Sequence, residues 1–178
     1  MVDVGAHIGS FSIMVAKSVL KVLAFEPEPT NYQMLKKNVE LNHLENMSIF
    51  EMAVSGRSGH QDIYTYQGGS SADYSLYERG IKNIKAGRIP TISVEDILKR
   101  EGLPRIDFLK LDCEGAEHDI LRNMSLETAG KIMGMAMETH HVPSEFSIDI
   151  PLRLKELGFE IRMNSGGGYI YARRMLPN

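Results

Sequence analysis

Acidic side chains and a histidine follow two of the apolar segments of this sequence. Asp112 and Glu114 come directly after one such segment, and Glu138 and His140 end the next. If both segments are neighbouring parallel strands, their carboxyl ends meet at one crevice of a doubly wound sheet. Carboxylates there suit a cationic ligand or the abstraction of a proton, and neutral histidine accepts a proton near neutral pH. We predict His140, Glu114 and Glu138 as the catalytic candidates, with His140 as the proton acceptor.

Each of these residues also has a purely structural interpretation. Asp112 or Glu114 could cap the following helix, since acidic side chains are stabilised at a helix N-terminus. His140 could be a hydrogen-bonded residue at a strand end. Lys110 shares a strand face with Asp112, and we expect it to pair with a carboxylate because buried lysines are almost always paired. Cys113 lies between two acids, which raise the pKa of a thiol, so we interpret it as a core residue rather than a nucleophile.

The histidines give little indication of a metal site. His140 and His141 are adjacent at a strand end, so strand alternation predicts that they point to opposite faces. The sequence contains no His-x-x-x-His pair on a helix. His7 is expected to hydrogen-bond within its own loop. We therefore predict no metal ligands.

The first ten residues have the pattern of a strand, a glycine turn and a helix that opens a nucleotide-binding domain. Gly5 allows the tight turn, Gly9 lets the helix pack closely on the strand, and the N–H groups at the helix start face a ligand. Glu26 follows the next predicted strand, residues 22–25. It lies roughly 20 residues beyond the loop, where a carboxylate can accept hydrogen bonds from both hydroxyls of a ribose.

Strand and helix patterns alternate along the rest of the chain. The further predicted strands are 47–54, 61–66, 89–94, 106–111, 131–137, 159–163 and 169–173, and the predicted helices include 96–100, 116–123 and 151–157. The connection between the last two strands is too short for a parallel crossover, so they must pair antiparallel. We predict an α/β fold, a Rossmann-like doubly wound sheet with a reversed antiparallel C-terminal strand. The polar stretch 67–87 is predicted to be a flexible loop, which is either a plain surface loop or, over 68–87, the segment that determines the substrate.

The composition restricts the possible classes of protein. A chain of 178 residues has the size of one domain, and we interpret 1–178 as a single domain that lacks residues ahead of its first strand. A net charge of -3 gives no basic surface for nucleic acid. No apolar run reaches the roughly 20 residues of a membrane span. One cysteine and no visible export signal favour a cytoplasmic protein, and the oligomeric state is not predicted.

Four segments together resemble the FkbM-type methyltransferases, which are S-adenosylmethionine-dependent enzymes of the class I fold. These segments are Val2-Asp-Val-Gly-Ala-His-Ile-Gly-Ser-Phe11, Ala24-Phe-Glu-Pro27, Lys110-Leu-Asp-Cys-Glu-Gly-Ala-Glu117 and Glu138-x-His140. The resemblance covers nearly the whole chain, and its most specific part is the block 112–117. The family usually has Asn at the position of His7 and Val or Ile at the position of Cys113.

The resemblance implies S-adenosylmethionine as the cofactor and methylation of a hydroxyl on a sugar, a glycan or a natural product. Glu26 would hold the ribose, and Met52 or Ala53 would border the adenine. The residues implied on the methionine side are Asp3, Gly5 and Gly9, and the other predicted cofactor-binding residues are Ala6, His7 and Asp112.

Two other classes of protein share parts of this pattern. A nicotinamide-dependent oxidoreductase has a similar glycine loop and ribose acid, but its loop is Gly-x-Gly-x-x-Gly, whereas here Gly5 and Gly9 enclose three residues. A module that binds the cofactor without catalysis is the second alternative. We predict a methyltransferase that acts on oxygen, with a small-molecule or glycan hydroxyl as its substrate and no nucleic acid partner.

Overall fold

A parallel sheet with an antiparallel edge forms the centre of the fold. The computed structural model describes residues 1–66, 74–77, 83–166 and 168–175. Its strands are β1 (Val2–Val4), β2 (Val22–Phe25), β3 (Met47–Phe50), β4 (Ala53–Val54), β5 (Gly59–Tyr66), β6 (Asn83–Ile92), β7 (Leu109–Leu111), β8 (Gly134–Glu138), β9 (Phe159–Met163) and β10 (Tyr169–Arg174). Within these residues, seven strands form one sheet in the order β3-β2-β1-β7-β8-β10-β9, and three form a smaller sheet in the order β4-β6-β5.

The helices connect the strands and cover the sheet. They are α1 (Ser10–Ala16), α2 (Pro29–Leu41), α3 (Val94–Arg100), α4 (Ala116–Asn123), α5 (Leu126–Gly130) and α6 (Ile150–Glu156), with a 3-10 turn at Ser144–Phe146. In the part of the chain that the structure describes, no helix is both long and apolar enough to span a bilayer.

The order of the strands places the carboxyl ends of β1, β7 and β8 side by side. β1 pairs in parallel with β2 on one side and with β7 on the other, and β7 pairs in parallel with β8. The strand order therefore reverses between β1 and β7, which is where ligands bind in open α/β sheets. β10 lies antiparallel to both β8 and β9, as the short connection between the last two strands predicts.

Apolar side chains of the central strands anchor this arrangement. Val2, Val4, Leu109 and Leu111 are all at most 1% exposed, and they pack in one core cluster with Ile120 of α4. Such runs of buried aliphatic residues are typical of parallel strands that are covered on both faces. The turns that follow β1 and β7 are therefore held on rigid elements.

Most of the predicted strands have different boundaries in the structure; for example, β5 begins at Gly59, β7 at Leu109 and β8 at Gly134. The predicted strand 47–54 is divided, because β3 ends at Phe50 in the large sheet and β4 begins at Ala53 in the small one. No glycine or proline marks the break, so the sequence reads as one strand. The predicted strand 89–94 is longer and begins at Asn83, since β6 pairs along its length with β5. Gly87 interrupts the apolar pattern of this strand, so the sequence does not predict that the strand extends back to Asn83.

Helix boundaries also differ from the predictions, and α6, for example, begins at Ile150 and ends at Glu156. The predicted helix 96–100 begins earlier, at Val94, because Ser93 caps it by accepting a hydrogen bond from the backbone N–H of Asp96 at 3.1 Å. The sequence does not predict the short α5, although Ser125 caps it by accepting a hydrogen bond from the backbone N–H of Thr128 at 3.1 Å.

Most of the predicted loop 67–87 lies outside the described residues, and its last part belongs to β6.

Candidate active site

The turns after β1 and β7 touch each other at the carboxyl edge of the sheet. Gly5 has φ = 75°, and a Cβ atom on it would overlap the carbonyl oxygen of Asp112. Only glycine combines this backbone conformation with so close an approach. The two turns that the sequence predicts to face one crevice are therefore adjacent.

A cleft of about 270 Å³ opens over these turns, and we call it the first cleft. Of the predicted site residues, it is lined by Gly5, His7, Glu26, Ala53, Asp112 and Glu114. Tyr74, Ser75 and Leu76, from the described part of the predicted loop, line its other side. Ser75 fixes this segment, because its hydroxyl donates a hydrogen bond to the carbonyl oxygen of Glu114 at 2.7 Å.

Glu26 is buried in the wall of the first cleft, with its carboxylate held by the chain. Oε2 accepts a hydrogen bond from the backbone N–H of His7 at 2.8 Å, and Oε1 accepts one from that of Glu28 at 3.0 Å. Burial raises the pKa of Glu26, and these hydrogen bonds offset part of that rise. A carboxylate oxygen has two lone pairs. Oε1 uses both, because it also accepts a hydrogen bond from Nδ2 of Asn31 at 3.4 Å, and Oε2 retains one for a ligand hydroxyl.

His7 has two unusual features. Its φ is 52°, in the left-handed region where Asn, Asp and His are enriched among residues other than glycine. Its buried Nε2 atom has no hydrogen-bond partner among the described residues. The backbone of His7 bonds to Glu26, but this ring nitrogen does not meet the expectation of a bond within its own loop. Buried polar atoms are usually satisfied, so a lone ring nitrogen in a cleft wall indicates a ligand.

Asp3 lies beneath the first cleft and not in its lining. It is 0% exposed, its Oδ2 accepts a hydrogen bond from the Ser12 hydroxyl at 2.6 Å, and its Oδ1 is 3.1 Å from Nζ of Lys110. Nζ of Lys110 is also 3.3 Å from Oδ2 of Asp112, which confirms the predicted pairing of this lysine with a carboxylate. Burial alone would lower the pKa of Lys110, but the two carboxylates outweigh it and raise this pKa. The ammonium group thus joins both turns below the crevice.

Three other predicted cofactor-binding residues do not line the first cleft. Gly9 has φ = 91°, and a Cβ atom there would lie 2.5 Å from Leu35 Cδ1, so its observed role is helix packing. Ala6 is buried in the smaller core cluster. Met52 packs against the main core, whereas its neighbour Ala53 lines the cleft.

His140 is held by a buried carboxylate that sequence reasoning missed, that of Glu117. Glu117 is 0% exposed, and its Oε1 accepts a hydrogen bond from the backbone N–H of His140 at 2.7 Å and lies 3.1 Å from Nδ1. Its Oε2 accepts a bond from the backbone N–H of Gly115 at 3.0 Å. Nε2 of His140 is 3.5 Å from Oε1 of Glu114. The proton on Nδ1, assigned from these contacts, leaves Nε2 directed towards the crevice.

The charges of this cluster shift the pKa values of its members. Burial alone would raise the pKa of Glu117, but the hydrogen bond and charge of His140 outweigh it and lower this pKa. For His140, burial would lower the pKa, but Glu117 and then Glu114 and Asp112 raise it above its ordinary value. Burial and the nearby Glu117 raise the pKa of Cys113 well above its usual value, which supports the interpretation that this thiol is not a nucleophile.

Asp112, Glu138 and His140 form a group whose ligating atoms lie within 4.8 Å of one another. Such a group is able to bind a cation, although the sequence predicts no metal site. The ammonium of Lys110 already lies next to Asp112, and Nδ1 of His140 faces Glu117. These contacts favour an organic cation in the crevice over a metal ion, and Glu138 itself lines neither cleft described here.

A second cleft of about 430 Å³ adjoins His140. It lies beyond the end of β8, at the start of α6 and beside the β9–β10 hairpin, and both His140 and His141 line it. The prediction that the two histidines point to opposite faces assumed strand alternation, which does not apply to them because β8 ends at Glu138.

This fold and this crevice define a class I methyltransferase. Residues 3–161 match the Methyltransferase FkbM domain. The chain belongs to the FkbM methyltransferase family. The match supports the methyltransferase prediction over the nicotinamide-dependent alternative.

Similarity to individual methyltransferases supports this assignment. The chain is 29% identical to Methyltransferase sdnD of Sordaria araneosa, over 90% of this chain and 73% of that protein. It is 26% identical to 2-O-methyltransferase NoeI of Sinorhizobium fredii, over 68% of this chain and 55% of that protein. The crystal structure of methyltransferase FkbM from Methylobacillus flagellatus KT has a TM-score of 0.61 at 17% identity, and it is matched over 97% of this chain but only 42% of that chain.

The cofactor of this family and fold is S-adenosylmethionine, and the residues of the first cleft fit it. Glu26 offers a fixed buried carboxylate for hydroxyl groups, and the lone Nε2 of His7 offers a further polar contact. Asp112 and Glu114 supply negative charge next to the turn at Gly5, which suits a positively charged ligand.

Proposed function

We propose that this protein transfers the methyl group of S-adenosylmethionine to a hydroxyl oxygen of a sugar, a glycan or a natural product. The observation that carries this proposal is the position of His140. Its Nδ1 is held by Glu117, and its Nε2 is directed towards the crevice between the first and second clefts. The name of the relative NoeI, a 2-O-methyltransferase, supports oxygen as the acceptor atom.

When bound, the cofactor supplies an electrophilic methyl group on a sulfonium. The residues of this chain hold the acceptor hydroxyl and take its proton. In this proposal Nε2 of His140 accepts the proton as the new carbon–oxygen bond forms and the carbon–sulfur bond breaks, with the electron pair of that bond remaining on sulfur. The imidazolium ion that results is stabilised by the carboxylates of Glu117 and Glu114.

Positioning is the second contribution of the protein. Glu26, His7 and Ala53 bind the cofactor in the first cleft, and the acceptor hydroxyl is held beside His140. Effective molarities for well-oriented reactants correspond to about 7–11 kcal/mol of barrier reduction. The remaining predicted contacts of Asp3, Ala6, Gly9 and Met52 with the cofactor stay predictions. The single cysteine, which excludes an internal disulfide, supports the proposed cytoplasmic location.

Calorimetric titration tests the cofactor, and a labelled methyl group tests the reaction. The purified protein should bind S-adenosylmethionine and S-adenosylhomocysteine, and it should not bind NAD or NADH. With a donor carrying a ¹³C-methyl group, the product of an accepted alcohol should show the chemical shift of an O-methyl carbon. Label found only on nitrogen or carbon would contradict O-methylation. Binding without transfer to any of a broad panel of alcohols would favour a non-catalytic module.

A further inference from the structure

The second cleft has the position expected for an acceptor site. His140 lines it, while Nε2 of His140 lies 3.5 Å from Oε1 of Glu114, which lines the first cleft. Among the described residues the two clefts share no lining residue, so this histidine–glutamate contact forms the boundary between them. A hydroxyl group bound in the second cleft beside His140 is thereby brought next to the first.

The floor of the second cleft is apolar and fixed. Ile150 is 3% exposed and Ile170 is 1% exposed, so both are part of the core cluster while they also line the cleft. Met163 extends this surface to the rim and is 48% exposed. Ligand sites usually combine such an apolar lining with a few polar groups that fix orientation.

Polar groups at the rim provide those contacts, and none of them is a fixed positive charge. Thr139, Ser147 and Asp149 lie around the opening. Among the described residues that line this cleft there is neither a lysine nor an arginine. Phosphate and carboxylate groups are recognised chiefly by those two side chains, and the charge of Asp149 repels an anion.

The walls of the cleft are held in place without a ligand. His118 is 6% exposed, and its ring contacts the carbonyl oxygen of His140 through Nε2 at 3.0 Å. Its Nδ1 accepts a hydrogen bond from the backbone N–H of Ile148 at 3.2 Å. Arg122 donates hydrogen bonds to the carbonyl oxygens of Phe146 and Ser147 at 2.7 and 3.2 Å. The cleft is therefore preorganised, which lowers the entropic cost of binding.

We infer that the second cleft binds the acceptor, and that this acceptor is an uncharged amphipathic alcohol whose apolar part lies on Ile150, Ile170 and Met163. The carboxylate of Asp149, and the lack of lysine and arginine among the described lining residues, disfavour sugar phosphates, sugar nucleotides and other anions. The inference rests on the proposed function, because it assigns the second reactant of that reaction. Octyl β-D-glucoside, used below its micelle concentration, is a probe of the required chemistry, and glucose 6-phosphate is its anionic counterpart.

Methyl NMR on protein labelled at Ile and Met, saturated with S-adenosylhomocysteine, tests the inference. Octyl β-D-glucoside should shift the methyl signals of Ile150, Ile170 and Met163, while glucose 6-phosphate at equal concentration should leave them unchanged. No shift at these methyls with the glucoside, or a stronger shift with the phosphate, would overturn the inference. So would shifts confined to the apolar groove beside Phe11 and Leu103, because these would show non-specific binding.

A charge introduced at the rim provides the matched test. Met163→Arg places a cation beside the apolar floor and should weaken binding of the glucoside by about tenfold, since the apolar contact is lost and a charge is desolvated. Met14→Arg, at a 67% exposed position on α1, should leave the affinity unchanged. Equal affinity in both variants would overturn the inference. Calorimetry with S-adenosylhomocysteine on the same samples separates the two proposals. Lack of S-adenosylhomocysteine binding would contradict the proposed function, whereas lack of glucoside binding alone would contradict only the acceptor site in the second cleft.

Discussion

Glu117 and His140 join the turn after β7 to the end of β8 through a single buried carboxylate. Oε1 of Glu117 lies 2.7 Å from the backbone nitrogen and 3.1 Å from Nδ1 of His140, while Oε2 bonds to the backbone of Gly115. One side chain therefore fixes the backbone of both segments and the orientation of the imidazole. A carboxylate behind an imidazole fixes the tautomer and stabilises the imidazolium form, as in the proton transfers of serine hydrolases.

The first prediction concerns Glu117→Gln. The pKa of His140 should fall, because the charge that raises it most is removed. The acidic limb of the activity profile, along which the rate rises as His140 becomes the free base, should move to lower pH. Titration of His140 by NMR in both proteins measures the shift directly, without an acceptor. An unchanged pKa would show that Glu117 has only a packing role.

The same variant should change the pH dependence of stability. The folded pKa of His140 is raised above its ordinary value near 6.5, so its ion pair stabilises the fold fully below that value. This stabilisation is lost as the pH rises through the folded pKa. Glu117→Gln should therefore lower the free energy of unfolding by about 1–3 kcal/mol at pH 6 and by less at pH 9. Denaturant unfolding at both pH values checks this, with Glu127→Gln, an exposed ion-pair partner of Lys131, as the control that should leave both values unchanged.

The second prediction concerns His140→Gln. The rate of methyl transfer to an alcohol should fall by about 10²–10⁴-fold, which is the usual contribution of a general base. The limb of the pH–rate profile that reports the ionisation of His140 should disappear. Affinity for S-adenosylhomocysteine should not change, because His140 does not line the first cleft. His60→Gln, at an exposed histidine on β5, is the matched control and should keep both the rate and the limb. If His140→Gln retains the limb, the base is one of the nearby carboxylates.

Local sequence patterns are sufficient to predict much of the fold. The strand, turn and helix at Gly5 and Gly9 follow from apolar residues and glycines within ten positions. The antiparallel β9–β10 pair follows from a connection too short for a crossover. The local pattern does not predict the division of 47–54 between two sheets, because the sheet that each part joins depends on its distant partner, β2 or β6.

In the site, too, contacts between residues close in the sequence can be predicted, whereas contacts between distant residues cannot. Strand alternation is sufficient to predict that Lys110 pairs with Asp112. The second partner of Lys110, Asp3, lies 107 positions earlier in the chain, and this contact depends on the alignment of β1 with β7. Glu117 does leave one local signal. It is an acidic residue on the helix face that also carries Ile120 and Leu121, and a charge on a core face usually has a buried partner. The sequence does not identify that partner as His140, which lies 23 residues further on.

The third prediction concerns Glu26→Gln. This substitution keeps the shape of the side chain but replaces one acceptor oxygen by a donor. Affinity for S-adenosylhomocysteine should fall by at least about tenfold, since charge-assisted hydrogen bonds contribute about 1.5–3 kcal/mol. Wild-type affinity should also weaken as the pH falls through the raised pKa of Glu26. Calorimetry over a pH series measures both effects, and a pH-independent wild-type affinity would argue against a hydroxyl contact by the carboxylate.

A fourth prediction tests the contact between the two turns. In Gly5→Ala the new Cβ would meet the carbonyl oxygen of Asp112, and the backbone is already at φ = 75°. The loss of stability should exceed about 2 kcal/mol, because either turn must move. Gly87→Ala on β6 provides the control, since a Cβ atom added there would have no neighbouring atom within 4 Å. Thermal unfolding compares the two, and equal melting temperatures would mean that the turns separate at little cost.

The last prediction concerns metal ions. The acidic group around His140 has the donor types of a divalent cation site, but the Lys110 ammonium lies 3.3 Å from Asp112 and Glu117 holds Nδ1 of His140. A divalent cation at Asp112 would be repelled by this ammonium. Dialysis against EDTA should therefore leave both methyl transfer and the NMR titration of His140 unchanged, and added Mg²⁺ should not increase the rate. A rate lost on dialysis and restored by Mg²⁺ would assign Asp112, Glu138 and His140 to a metal and would remove His140 as the proton acceptor.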